Sequence, residues 1–130
     1  MKTLLAFTAG TLLMLSPSLA AVTYQFVAVD KSVETQICVA AGNDERALLR
    51  SKIGNYSHNV RLSTNLINCN GMSITQFSYK YGALQSYDYL NRFTALKNRV
   101  QHKPSVTIKE LSLRDTGGLA DVVTIRVSAK

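Results

Sequence analysis

The N-terminal segment, residues 1–20, constrains the fold of this chain most, because it decides which residues remain to fold and in which compartment. A lysine precedes a short apolar run over 3–15, Ser16-Pro17 breaks the run, and small residues stand before a cut between Ala20 and Ala21. This order is typical of a secretory signal peptide, and the run is too short for a permanent membrane span. We therefore predict removal of residues 1–20 and folding of residues 21–130 as a single small domain outside the cytoplasm.

The chain has two cysteines, Cys38 and Cys69. In an oxidising compartment an even pair most simply forms one disulfide. Such a bridge would close a loop of about thirty residues and stabilise the fold by roughly 3–4 kcal/mol. A metal site and a nucleophilic thiol are the alternatives, and a metal site would need further ligands, for which only His58 and His102 are available. We predict the structural disulfide.

Helical spacing of apolar residues dominates the first half of the mature chain. After a short apolar strand or lead-in at 21–29, capping residues and apolar positions three and four apart predict helices over about 32–41 and 44–53. Acidic and amide side chains at 43–45 predict the cap of the second of these helices. The segment 55–68 has no clear period and fits either a strand or an irregular packed segment.

Two further helices are predicted in the middle of the chain. The Asn70-Gly71 pair favours a turn with positive φ. Ser73 is the natural cap of a third helix, and Gly82 is its natural stop. Apolar residues then recur every three or four positions and predict a fourth helix over about 84–99.

An antiparallel β-hairpin is predicted at the C-terminus. Apolar alternation indicates strands at about 106–113 and 123–127, and Gly117-Gly118 lies in the loop between them. The sequence therefore predicts an α+β domain, with three or four short helices followed by a C-terminal antiparallel β-hairpin and with one disulfide.

The middle of the chain carries a resemblance to a known family. The motifs are Ile-Cys-Val-Ala-Ala at 37–41, Ile-Asn-Cys-Asn-Gly at 67–71, and the downstream residues Phe77, Tyr81 and Gly82. Over about residues 30–82 the chain resembles a family of small exported gammaproteobacterial proteins that is described as a domain of unknown function. The resemblance implies export and a pairing of the two cysteines. It implies no activity, cofactor or catalytic residue.

Catalytic motifs are absent from the sequence. Cysteine–histidine catalysis needs a free thiolate, which a disulfide removes. Serine hydrolases of a common type need a Gly-x-Ser-x-Gly turn, which the sequence lacks. The acidic residues are scattered, and neither His58 nor His102 has a His, Cys, Asp or Glu three or four positions away. We predict no catalytic residue, no metal site and no cofactor, and thus a protein that is not an enzyme.

The positive charge of the chain points to its partners. The formal net charge is +7. A basic exported protein is attracted to anionic envelope components, although such a charge also serves solubility. The candidate anion-binding patch consists of Arg92, Lys97, Arg99 and Lys103. In a helix, these bases would also complement the dipole at its C-terminal end. Solubility is the simpler interpretation of the charge; the partner is left open, with anionic envelope components as the candidates, and a nucleic acid is not expected.

A second candidate surface lies in an aromatic-rich stretch before that patch. Exposed rings beside bases can stack on sugars or nucleobases. Helical spacing assigns most of the rings to the core, namely Phe77, Tyr81, Tyr87 and Phe93. Tyr79 and Tyr89 are left to face outward and form the candidate stacking surface.

These observations together predict a small periplasmic binding or accessory module of the cell envelope that acts through its surface. The compact N-terminal segment indicates a bacterial protein, and secretion beyond the periplasm is the alternative location. A small cell-envelope hydrolase or an enzyme inhibitor is the alternative function. Its working residues would lie on the irregular segment at 55–71.

Overall fold

The computed structural model describes residues 22–101 and 122–130 of the chain. In chain order the elements are β1 (Thr23–Ala28), α1 (Val33–Gly42), α2 (Arg46–Tyr56), α3 (Val60–Leu66), β2 (Asn68–Cys69), β3 (Met72–Ser73), α4 (Ile74–Lys80), α5 (Leu84–Asn91), a 3₁₀ turn (Leu96–Asn98) and β4 (Val122–Val127). The predicted α+β class is confirmed, because the described residues form five α-helices and two two-stranded sheets, although only three or four helices were predicted.

The strands form two pairs, and the residues that follow β4 connect one pair to the other. β1 and β4 pair in parallel, with Thr23 opposite Val122. β2 and β3 form an antiparallel hairpin. The chain that follows β4 runs antiparallel to β2, because the Lys130 N–H donates to the Asn68 carbonyl over 3.1 Å and the Asn68 N–H donates back over 3.1 Å. The C-terminal residues therefore connect the parallel pair to the hairpin.

Asn70 fastens the β2–β3 hairpin to β4. Its Nδ2 donates to the Arg126 carbonyl and its Oδ1 accepts from the Ser128 N–H, each over 2.9 Å. The φ angles of Asn70 and Gly71 are 49° and 80°, in the left-handed region that an Asn-Gly hairpin turn requires. The predicted turn is confirmed.

The predicted C-terminal hairpin is not supported. Its second strand forms as β4, but the strand that pairs with β4 among the described residues is β1, in parallel. The predicted first strand, 106–113, and the glycine loop lie outside the described residues. Parallel pairing joins strands that are distant in sequence, which apolar alternation cannot reveal. The observed pairing buries Phe26 of β1 and Val127 of β4 in the common core.

The disulfide ties α1 to the hairpin. Ser32 caps α1, because its Oγ accepts from the Thr35 N–H over 3.2 Å. Cys38 on α1 is bonded to Cys69 on β2, and the two Cα atoms are 5.7 Å apart. Both cysteines are fully buried. The predicted disulfide is confirmed.

Aromatic rings fill the core between β1 and α4. The Phe26 ring packs edge-on against Phe77 and Tyr81, with centroids 5.6 and 5.1 Å apart. Gly42 at the end of α1 makes room for this ring, because a Cβ there would lie 2.8 Å from two carbons of Phe26. Close packing at this point explains why a glycine stands inside the core.

The segment 55–68, which showed no clear period, contains the helix α3. Asn59 caps it, because its Oδ1 accepts from the Leu62 N–H over 3.0 Å. The inward positions of this helix are Ser63 and Thr64, both buried, whereas Leu62 and Leu66 are exposed. Polar residues inside and leucines outside reverse the pattern by which an amphipathic helix is recognised.

Asp44 caps a different helix from the one predicted. Its Oδ1 accepts from the Ser86 N–H over 2.7 Å, in the first turn of α5. The helix α2 begins at Arg46, and its N-cap, Glu45, makes no side-chain capping hydrogen bond. Asp44 has a positive φ of 59°, and its carboxylate bonds to α5. The prediction that side chains at 43–45 cap the second helix is therefore wrong, since Asp44 caps α5 instead.

The predicted fourth helix, 84–99, is shorter than expected. α5 ends at Asn91, and a 3₁₀ turn follows after a break. The break is held from α3, because Asn65 Nδ2 donates to the Phe93 carbonyl over 2.9 Å and Asn65 Oδ1 accepts from the Ala95 N–H over 2.7 Å. Backbone groups that would continue the helix are thus bonded to a side chain distant in sequence.

Candidate functional site

Residues 92–99, which we call the basic segment, are fastened to two helices. Asn98 Nδ2 donates to the Asn65 Oδ1 of α3 over 3.1 Å. The Asn98 carbonyl accepts from the Ser73 Oγ over 2.9 Å, at the N-terminus of α4. With the two Asn65 bonds to the break after α5, these contacts fix a stretch that is otherwise irregular. The backbone of the segment is therefore held in one position.

Three of the four bases of the candidate anion-binding patch lie on this segment. Arg92, Lys97 and Arg99 are all exposed. The Nε of Arg99 donates to the Thr94 carbonyl over 3.2 Å, which ties the guanidinium group to the backbone of the segment. Lys103, the fourth member, lies outside the described residues. An arginine held in this way presents its outer edge to an anion without first losing rotational freedom.

Arg61 of α3 adds a base that the sequence analysis did not include. The Asn65 Nδ2 bridges the carbonyls of Arg61, at 2.7 Å, and Phe93, at 2.9 Å. The backbone of Arg61 is thereby next to the basic segment, and its side chain is exposed. The sequence gives part of this information, because Arg61 lies in a stretch, 46–87, that contains lysines and arginines but no aspartate or glutamate. Its position beside the segment depends on tertiary contacts.

The candidate stacking surface does not form. Tyr79 is 41% exposed, but Tyr89 is only 7% exposed and its ring packs against Phe93 with centroids 5.5 Å apart. The prediction that Tyr89 faces outward is wrong. The reason lies in the rotation of α5, whose first turn is tied to Asp44 through Ser86, so that Ser86 and Tyr89 face the core. The two tyrosines therefore do not share an exposed face.

A shallow concavity of about 440 Å³ carries the acidic side chains Asp30 and Glu34. Hydrogen bonds from the Ser32 hydroxyl and N–H, 2.6 and 2.9 Å long, lower the pKa of Asp30 below its ordinary value. The Tyr56 hydroxyl donates to Glu34 Oε1 over 2.9 Å, and this bond raises the pKa of Tyr56. Both shifts move the pKa away from neutrality, whereas acid–base catalysis is favoured by values near it.

Metal-ligating side chains do not cluster in residues 22–101 and 122–130: no three His, Cys, Asp or Glu residues there lie close enough to hold an ion. Over the same residues, no helix is long and apolar enough to cross a membrane. His58 is exposed, and His102 lies outside the described part of the chain. The structure thus places His58 outside any candidate site, and the prediction for His102 is not tested.

The comparisons with known proteins concern the family of the chain. A family model described as "Protein of unknown function (DUF3718)" matches residues 37–113, which is more than half of the 130 residues. The match includes both disulfide cysteines, α3 and the basic segment. No curated protein and no solved structure matches the chain. The resemblance to a domain of unknown function is confirmed.

Proposed function

Because the chain belongs to the family described as "Protein of unknown function (DUF3718)", whose description names no activity, we propose a function from the chain's own surface. The protein is an exported, non-enzymatic binding module, and its basic segment binds anionic components of the cell envelope. The N-terminal signal-like segment supports export to the periplasm. The disulfide fits an oxidising compartment.

The observation that carries the proposal is the fixed placement of exposed bases. Arg92, Lys97 and Arg99 stand on one short segment that α3 and α4 hold through side-chain hydrogen bonds. Charges on a fixed backbone bind an anion with a smaller loss of conformational entropy than charges on a mobile loop. Guanidinium groups also match the paired oxygens of phosphate and carboxylate groups. Phosphate-bearing envelope components are the partners that fit these bases.

The experiment is a binding titration of the purified exported protein with inorganic polyphosphate over a series of salt concentrations. The triple variant Arg92→Gln/Lys97→Gln/Arg99→Gln removes three charges from the basic segment. At roughly 0.5 kcal/mol for each exposed charge pair, we expect binding to weaken about tenfold. The affinity of the unaltered protein should fall as salt rises, because added ions screen exposed charges.

A matched control separates the segment from the total charge. Lys31→Gln/Arg46→Gln/Arg50→Gln removes the same charge from exposed positions outside the segment. The control should bind within about twofold of the unaltered protein, since its lost charges lie outside the binding surface. Equal losses in both variants would show that total charge, and not the segment, binds the anion, and the proposal would fail.

The non-enzymatic part of the proposal has its own test. Asp30 and Glu34 are the acids that share a concavity. Turnover of an envelope polymer that is abolished by Asp30→Asn or Glu34→Gln would establish the hydrolase and overturn the binding module. The proposal expects that the unaltered protein and both variants turn over the polymer no faster than a sample without protein.

A further inference from the structure

We propose that the partner is the surface of an anionic phospholipid bilayer, which the protein contacts with α3 and the 3₁₀ turn. This inference rests on the proposed function and names the partner of the same bases. It depends on a second feature of that surface, which is a set of exposed leucines among the bases.

Three leucines of this surface are strongly exposed. Leu62 and Leu66 on α3 are 52% and 62% exposed, and Leu96 on the 3₁₀ turn is 76% exposed. Leu96 exposes the largest fraction among the large apolar side chains that the structure describes as exposed. Single exposed leucines are common, but neighbouring ones mark a surface that is covered by a partner.

The contacts of Asn65 place these leucines on adjoining elements. Asn65 lies between Leu62 and Leu66 in α3, and its side chain bonds to the Ala95 N–H, next to Leu96. At the other end of the 3₁₀ turn, the Asn98 side chain also bonds to the Asn65 side chain. Hydrogen bonds therefore join α3 to the turn, and the exposed Leu66 and Leu96 are next in sequence to Asn65 and Ala95, which form one of these bonds.

Two of the three leucines have a base as their neighbour in sequence. Arg61 precedes Leu62, and Lys97 follows Leu96. In the interface of a bilayer, apolar side chains enter the boundary of the acyl chains while neighbouring bases remain with the phosphates. Each base near an anionic membrane surface adds to the attraction. A surface that carries both exposed leucines and exposed bases fits this environment.

Other anionic partners fit less well. A single-stranded nucleic acid would be bound by exposed aromatic rings together with bases, and Tyr89 is buried. A soluble phosphate polymer would use the bases but would leave the three leucines in water. The exposed leucines are accounted for by a partner that has an apolar layer beneath its charges.

The experiment is flotation of the exported protein with vesicles of phosphatidylglycerol and phosphatidylcholine, and with vesicles of phosphatidylcholine alone. We expect binding to the anionic vesicles and at least about tenfold weaker binding to the neutral ones, as for bases near a charged membrane surface. The variant Leu62→Ser/Leu96→Ser should bind anionic vesicles about tenfold less tightly, because two apolar side chains no longer enter the interface. Its affinity for polyphosphate should stay within about twofold, since its bases are retained.

The matched control is Leu48→Ser/Leu84→Ser, which alters two leucines that are 44% and 58% exposed on α2 and α5. It should float like the unaltered protein, and thermal unfolding should show that both double variants are folded. Equal losses in both variants, or none in Leu62→Ser/Leu96→Ser, would overturn the inference.

The remaining outcomes separate this inference from the proposed function. If the protein binds polyphosphate but floats with neither vesicle, only the bilayer inference fails. If it binds neither probe, the proposed function fails as well. If size-exclusion chromatography shows a dimer that Leu62→Ser/Leu96→Ser dissociates, the leucines join two copies of the chain, and the bilayer inference is overturned.

Discussion

The change Asn65→Ala tests whether one side chain holds the basic segment. The Asn65 side chain makes three hydrogen bonds to that segment, with the Phe93 carbonyl at 2.9 Å, the Ala95 N–H at 2.7 Å and the Asn98 side chain at 3.1 Å. At about 1 kcal/mol for each net hydrogen bond, their loss should lower the free energy of unfolding by about 2–3 kcal/mol. That is a large part of the roughly 5–15 kcal/mol that stabilises a small domain.

The assay is urea unfolding of the disulfide-bonded protein, followed by circular dichroism. Asn55→Ala is the matched control, because Asn55 is exposed on α2 and is not among the side chains that make the described hydrogen bonds. It should change the free energy of unfolding by less than about 0.5 kcal/mol. Hydrogen exchange of the Ala95 amide should also accelerate in Asn65→Ala. A free energy within about 0.5 kcal/mol of the unaltered protein would refute the claim that Asn65 fixes the segment.

Three further predictions concern the core and the acidic concavity. Cys38→Ser/Cys69→Ser should lower the free energy of unfolding by about 3–4 kcal/mol in urea, and dithiothreitol should destabilise the unaltered protein similarly; equal stability would contradict this. Gly42→Ala should lower the free energy of unfolding in urea by about 1–3 kcal/mol, because the added Cβ would contact the ring of Phe26. Gly54→Ala should raise it by about 0.5–1 kcal/mol, because a Cβ at Gly54 meets nothing within 4 Å. Because the pKa of Asp30 is lowered in the folded protein, its carboxylate stabilises the fold at pH values above the ordinary pKa of 3.8. The difference in free energy of unfolding between the unaltered protein and Asp30→Asn should therefore shrink as the pH falls below 3.8. A difference that grows would contradict this prediction.

Local signals in the sequence predicted local structure well. Ser32 and Ser73 cap their helices with the hydrogen bonds expected of serine at that position. The Asn70-Gly71 turn also follows from backbone preferences alone. The pairing of Cys38 with Cys69 needed only the count of cysteines and an oxidising compartment. Each of these inferences concerns a few neighbouring residues or a pair without competitors.

Features that depend on distant contacts were missed. The length of α5 is limited by Asn65, and its rotation is set by Asp44, neither of which lies on that helix. The helix α3 escaped detection because its buried positions are Ser63 and Thr64. The parallel pairing of β1 with β4 joins the two ends of the described chain. Apolar periodicity carries no information about such partners.

The candidate site was predicted in part for the same reason. The bases Arg92, Lys97 and Arg99 were found because they are close in sequence. Arg61 and the exposed leucines were not found, since they join the surface only through the contacts of Asn65. A single tertiary side chain therefore converts a stretch of charges into a surface with apolar and basic parts.

The measurement that tests the central claim most directly is a titration of ¹⁵N-labelled protein with inorganic polyphosphate, read from the amide resonances. We expect the shifts to concentrate in the basic segment, 92–99, and in the neighbouring residues of α3. In Arg92→Gln/Lys97→Gln/Arg99→Gln the same shifts should need about tenfold more polyphosphate. Shifts that concentrate instead around Asp30 and Glu34, or that persist unchanged in the triple variant, would contradict the account.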